Sequence, residues 1–220
     1  MTSNLMDIKE KIASAAENCG RPPKDITLVA VSKVHVVETI LPVLESGQRV
    51  FGENRVQEAA QKWPALKNSF DGIKLHLIGP LQTNKARQAV HLFDVIETVD
   101  RPKLARMLAR IFEEEAKRCD IYIQINTGHE NQKAGILPDS ADEFIALCRD
   151  NLKLEVRGLM CIPPFDHDST PHFKLLKEIA DRNNIKNLSM GMSGDFEKAI
   201  GNGATHVRVG TAIFGARPGY

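Results

Sequence analysis

The chain has 220 residues, 42% of them hydrophobic, which suits one large core or at most two small ones. Lys+Arg 29 against Asp+Glu 28 leaves a net charge of +1, so no global field favours nucleic acid or an acidic membrane surface. Cys19, Cys119, Cys148 and Cys161 lie far apart without a C-x-x-C pair, which argues against zinc and against a disulfide-stapled secreted fold and predicts buried, reduced thiols.

The opening MTSNLMDIKEKIASAAENCG lacks the basic start and apolar run of a signal peptide. Residues 5–19 read instead as an amphipathic helix, giving a leading element (1–20) packed outside whatever follows. No apolar stretch approaches the roughly 18 residues of a membrane span, so a cytoplasmic location is expected.

From about residue 26 onward, strand-like runs alternate with helical patterns. Strands are predicted at 26–32, 49–52, 74–79, 95–99, 121–126, 154–162, 187–192 and 206–210. ITLVAVS and IYIQIN are nearly continuous apolar runs, as in strands buried on both faces. Between them, Pro42 inside VVETILPVLESG predicts a broken or delayed second helix, with Gly47 as its stop. Leu104, Met107, Leu108 and Ile111 follow helical spacing, with Asp100 as N-cap and Pro102 in the first turn. Ser140-x-x-Glu143 reads as a capping box, and Thr170-Pro171 precedes a face of Phe173, Leu176, Ile179 and Ala180. Eight strands, each but the last followed by a helix, predict an α/β fold closed into a single-domain (β/α)8 barrel spanning 1–220.

In such barrels function gathers at the C-terminal ends of the strands. The loops after strands seven and eight carry Gly191, Ser193, Gly194, Gly210 and Thr211, a set suited to phosphate: glycines admit the ligand and hydroxyls donate to it. Either loop alone reads as turn chemistry, with Ser193 merely capping a helix at 195–200; together, at the two expected strand ends, they favour phosphate. Lys33 ends the first strand. Alone it reads as a solvated lysine or a partner of Glu53. Facing a barrel mouth it is partly desolvated, which lowers its pKa and frees an amine to attack an aldehyde. A phosphate site and a reactive amine across one mouth suit a phosphorylated aldehyde such as pyridoxal 5'-phosphate (PLP). Another phosphorylated metabolite, held without a covalent bond, is the other possibility.

The segments LVAVSK (28–33), FGENRVQE (51–58), HLIGPLQTNK (76–85), GLMCIPP (158–164), MGMSGDFEKAI (190–200) and HVRVGTAIFGARP (206–218) run in order across nearly the whole chain. In these the sequence resembles the YggS/PROSC (PLPBP) group of pyridoxal phosphate homeostasis proteins. The resemblance implies a barrel similar to the N-terminal domain of alanine racemase, with PLP as an internal aldimine on Lys33. It further implies that Ser193, Gly210 and Thr211 hold phosphate, that Arg208 faces the pyridine nitrogen, and that Asn54 and His76 line the pocket. His76 reads equally as a satisfied core histidine. The chain departs from the family at Arg55, where tyrosine is usual, at Gly194, where a second acid is common, and at Val34-His35, where many members have Thr-Lys.

An arginine at the pyridine nitrogen disfavours its protonation and weakens the ring as an electron sink. Alanine racemase tolerates this but supplies a second acid/base from a tyrosine in an added β domain. Here the tyrosines are Tyr122, inside a strand, and Tyr220, the last residue. The expectation is therefore a PLP carrier or buffer supporting vitamin B6 and amino-acid homeostasis. Its partners would be PLP and the apo-enzymes that receive it, with no metal, nucleic acid or membrane, and a monomer is expected. The alternative is a PLP-dependent amino-acid racemase. Arg55, Lys85 and Arg87 read as solvated helix faces.

Overall fold

Strands separated by helical crossovers must pair in parallel, and here the sheet they make closes on itself. The computed structural model describes residues 2–130 and 132–215. Its strands are β1 (Thr27–Val31), β2 (Val50–Glu53), β3 (Lys74–Leu77), β4 (Val95–Val99), β5 (Asp120–Ile125), β6 (Val156–Cys161), β7 (Asn187–Ser189) and β8 (His206–Val209). They pair in sequence order, and β1 closes the barrel against β8. All eight expected strands are present. The widest difference is at β7, which stops at Ser189 because Met190 to Asp195 turn away, with Gly191 at φ +91°.

The helices are α1 (Thr2–Asn18), α2 (Val37–Glu45), α3 (Val56–Ser69), α4 (Ala86–Leu92), α5 (Pro102–Glu115), α6 (Ala141–Ala146), α7 (Thr170–Arg182), α8 (Phe196–Gly201) and α9 (Thr211–Phe214). The leading helix buries Leu5, Ile8, Ile12 and Ala16 and packs against α8 and α9, outside the barrel. None of the helices among the described residues is long and apolar enough to cross a membrane.

Several local expectations are corrected. Pro42 neither breaks nor delays α2: it forfeits one bond, to the Glu38 carbonyl, while burial of Ile40, Val43 and Leu44 holds the helix. Arg101, not Asp100, is the N-cap of α5, and Asp100 binds the Arg101 guanidinium instead. Ser140 makes no capping bond, because a 3-10 turn at Pro138–Ser140 leads directly into α6. Cys148 and Cys161 are buried thiols, but Cys119 is half-buried and Cys19 exposed.

Alternation along the strands sorts side chains into two layers. Leu28, Ala30, Phe51, Leu75, Leu77, Ile96, Val207 and Val209 join the apolar core between sheet and helices. The opposite set faces the barrel axis and is largely polar: His76, Glu97, Tyr122, Ser189, His206 and Arg208, with Gly52 and Gly158 leaving room between them. Tyr122 pairs with Gly158 across β5 and β6. A methyl group at Gly158 would lie 2.5–2.7 Å from three carbons of that ring. Gly158→Ala should therefore cost about 1–3 kcal/mol of stability through overpacking. That corresponds to roughly 2–12 °C in thermal midpoint, read by calorimetry, and Tyr122→Leu in the same chain should recover part of it.

Candidate functional site

The barrel's register assembles the mouth. On β1 and β2, Ala30 pairs with Phe51 and Val31 with Gly52, so the same offset continued sets Lys33 beside Asn54. On β7 and β8, Ser189 pairs with His206, and the turn after β7 and the start of α9 after β8 both reach the same cavity wall. These residues line one cavity of about 630 Å³, with Lys33, Asn54, Ser193, Arg208, Gly210 and Thr211 all in its wall. Such a volume suits a small organic ligand.

Lys33 sits in a tight turn closed by the His35 N–H donating to the Ser32 carbonyl, 3.1 Å. Val34 occupies the turn's third position at φ +62°, where glycine or asparagine is the usual choice and a β-branched residue is strained. Groups on α3 hold this turn. The Val34 N–H donates to Glu58 Oε1 at 2.6 Å. The buried Lys62 ammonium reaches the carbonyls of Ser32 and His35, both at 3.2 Å, and ion-pairs with Glu53 and Glu58 at 2.8 Å. Glu53 therefore pairs with Lys62, and its Oε1 also accepts from Ser32 Oγ and Trp63 Nε1. Burial raises the Glu53 carboxyl above its ordinary range, against the opposing pull of Lys62 and these donors.

Across the mouth, Gly191 brings its backbone against α8; a side-chain carbon there would lie 2.5 Å from Ala199 Cβ and 2.9 Å from Phe196 Cα. Asp195, not Ser193, is the N-cap of α8, and its Oδ1 accepts from the Met192 N–H at 2.7 Å. Ser193 is thus left at the cavity. Among the described residues, the N–H groups of Ser193 and Gly194 have no backbone acceptor. Exposed hydroxyls at Ser193 and Thr211 complete a donor-rich edge. Buried Asn54 Oδ1 also has no hydrogen-bond partner among the described residues. Donors facing an anion at one edge and an amine opposite fit the phosphorylated aldehyde that the sequence suggested.

His76 is a correction to the pocket-lining role and takes its other reading, a satisfied core histidine. It does not line the mouth cavity: it faces the barrel interior, 3% exposed, and borders a second cavity at the opposite end. Its Nδ1 lies 2.6 Å from Glu97 Oε1, whose other oxygen accepts from Ser189 Oγ at 2.6 Å. Arg208 donates to Ser189 Oγ and to the Cys161 carbonyl, each at 2.8 Å. Burial pushes the Glu97 carboxyl up, but His76, Arg208 and Ser189 outweigh it and leave it below the ordinary range. Tyr122 also lies at the lower end, its hydroxyl 3.4 Å from His206 Nε2, and burial raises it far above a usual phenol. Tyr220 lies outside the described residues.

The sequence reading missed His35, Lys133, Pro163 and Lys198 in the cavity wall. His35 stacks on Phe214 at 5.0 Å, and the Lys133 ammonium donates to the Pro163 carbonyl at 3.2 Å. The GLMCIPP segment was a usable signal for Pro163. Lys133 follows a loop with no strand or helix pattern to place it.

Residues 3–218 match the family model for the alanine racemase N-terminal domain. The pyridoxal phosphate homeostasis protein of Escherichia coli K12 is 40% identical over 97% of this chain and 95% of its own length. This chain belongs to the pyridoxal phosphate homeostasis protein family. The family's protein from Aquifex aeolicus is 37% identical over 97% of the chain and 96% of its own. PipY from Synechococcus elongatus PCC7942, in a structure with PLP bound, superposes with TM-score 0.78 at 37% identity, covering 94% of this chain and all of PipY. Alanine racemase from Clostridium difficile 630, 16% identical with TM-score 0.71, shares the fold; the match covers 96% of this chain and 57% of that enzyme.

Two outcomes are expected of this family member. Lys62→Met strands Glu53 and two carbonyls in a buried site, and should cost about 3–5 kcal/mol. A thermal midpoint lowered by roughly 6–20 °C would show it. The second concerns acid. Burial, and then the charge of His76, push His206 from its ordinary 6.5 down to about 4. The unfolded chain therefore binds a proton between those values that the folded protein refuses, and stability falls as pH drops through that window, by on the order of 3 kcal/mol. Glu97 adds to the loss below its ordinary 4.5, while Glu53 acts in the opposite sense. Denaturant midpoints measured between pH 7 and 4 should decline in wild type and flatten in His206→Gln.

Proposed function

We propose that this protein binds PLP at the barrel mouth as a Schiff base on Lys33 and stores or hands on the cofactor without significant catalysis. The observation that carries this reading is the convergence, in one cavity, of the Lys33 amine with the donor edge of Ser193, Gly194 and Thr211. When bound, PLP supplies a reversible carbonyl bond to an amine and an aromatic ring able to take up electrons. The chain's own residues set the rest. Lys33 anchors one end, Ser193, Gly210 and Thr211 anchor the phosphate, and Asn54 offers an unmet acceptor beside Lys33.

Arg208 supports holding over catalysis. Its guanidinium has only donors, so at the pyridine nitrogen it opposes ring protonation and weakens the electron sink. Tyr122, at the other end of the barrel, is badly placed to serve as a second base at the mouth. The partners on this reading are PLP and the apo-enzymes that need it, in the cytoplasm. A monomer suffices, because one mouth holds every group named. A racemase has the shared fold in its favour and is the competing reading.

Purified wild-type protein should turn yellow with PLP, and borohydride should fix the cofactor on the peptide containing Lys33. Lys33→Ala should show neither effect. With L-alanine or L-serine, the D-isomer should form at far below ~1 s⁻¹. Turnover at or above that rate would establish the racemase, and a colourless, untrappable wild type would leave a phosphate-binding barrel without the covalent bond.

A further inference from the structure

Glu97 is fully buried in the barrel interior and lines no part of the mouth cavity. We infer that Glu97, acting through the Ser189 hydroxyl, is the positioning residue for Arg208 and thereby fixes how a cofactor ring sits in the mouth. The inference rests on the reading that PLP occupies that cavity.

Hydrogen-bond polarity gives the relay its direction. A guanidinium can only donate, so Ser189 Oγ, 2.8 Å from Arg208 Nη1, must accept. The single hydroxyl proton of Ser189 then points the other way, to Glu97 Oε2 at 2.6 Å. That oxygen must accept, as an ionised carboxylate does. The second oxygen, Oε1, lies 2.6 Å from His76 Nδ1, which donates in the matching tautomer. Arg208 Nη2 donates to the Cys161 carbonyl at 2.8 Å, so two bonds from β6 and β7 hold the guanidinium plane.

Charge completes the case. The groups that face Glu97 are His76 from β3, Tyr122 from β5, and His206 and Arg208 from β8. Glu97 is thus the anion that compensates a buried guanidinium with which it has no direct contact. Without it, the guanidinium loses its compensating charge, and the Ser189 hydroxyl that Arg208 donates to loses the acceptor that fixes its direction. Residues on four strands share this one chain of bonds, which is why an interior carboxylate can govern a wall of the mouth.

The test uses full-length protein loaded with PLP, comparing wild type with Glu97→Gln, Ser189→Ala, Ser189→Thr and the double variant Glu97→Gln/Ser189→Ala. The readouts are the PLP dissociation constant and the visible circular dichroism of the bound cofactor, which reports ring orientation. Loss of one charge-assisted bond predicts about tenfold weaker binding in Glu97→Gln and in Ser189→Ala. The visible dichroism should change in both while borohydride still traps PLP on Lys33. Ser189→Thr, which keeps the hydroxyl, should restore the wild-type signal, and the double variant should lose little more than either single one. Folded variants with wild-type affinity and dichroism would overturn the positioning role while leaving the Lys33 reading intact. If Glu97→Gln does not fold, Ser189→Ala, which keeps the carboxylate, decides by the same readouts. A wild type that traps no PLP overturns both readings.

Discussion

One ammonium group fixes the segment on which the site depends. Lys62, nearly buried on α3, lies within 3.2 Å of four oxygens: the carbonyls of Ser32 and His35 and the carboxylates of Glu53 and Glu58. The two carbonyls flank Lys33, and Glu58 also takes the N–H of the strained Val34. A left-handed valine costs on the order of 1–2 kcal/mol and persists only where its surroundings over-determine it. Here α3 does so. The lysine at the mouth therefore stands on a turn pinned from behind, and the cavity can remain open without the turn collapsing into it.

The second constraint lies inside the barrel. Barrels of this class commonly fill their interior with layers of branched apolar side chains. This one sets His76, Glu97, Tyr122, Ser189, His206 and Arg208 there, beside a few apolar side chains such as Val29 and Met160. Burying such groups is tolerable only when each is matched, and the Arg208–Ser189–Glu97–His76 chain supplies donor for acceptor along its length. Polar bonds have directions and apolar contacts do not. The interior therefore gives up some stabilisation from burial and gains a single orientation for Arg208.

The barrel was legible because its signals are local: eight strand-like runs, helices between them, and glycine-rich turns after the last two strands. Ser193, Gly210, Thr211 and Lys33 could be named because strand ends in a parallel barrel share one face. What escaped depends on which face of a strand a residue takes, and on partners far away in the chain. His76 lies in a motif, but a shift of one position along β3 decides between core and interior, and the motif does not record depth along the barrel. Glu53 sits in FGENRVQE beside Asn54, yet it points outward to Lys62 and Trp63 while Asn54 points to the cavity. The caps failed for a related reason: Asp100 found a guanidinium, and a 3-10 turn took the place of the box at Ser140.

The distribution of burial across the mouth bears on what it is built to do. Arg208 and the groups behind it are buried, Lys33 and Asn54 are half-buried, and Ser193, Gly194 and Thr211 are exposed. A ligand bound as proposed would have its ring against the rigid interior and its phosphate at the solvent edge. Enzymes that use PLP as an electron sink gain from enclosing it, because excluded water strengthens every electrostatic interaction around the reacting atoms. An exposed phosphate edge forgoes that gain but lets the ligand enter and leave while the turn at Lys33 and the relay behind Arg208 stay in place. On that proposal, affinity would come from two anchors on fixed elements, and release would require breaking the anchors without opening the fold. That division, a rigid floor and an accessible rim, suits the proposed role of holding a reactive aldehyde and giving it up.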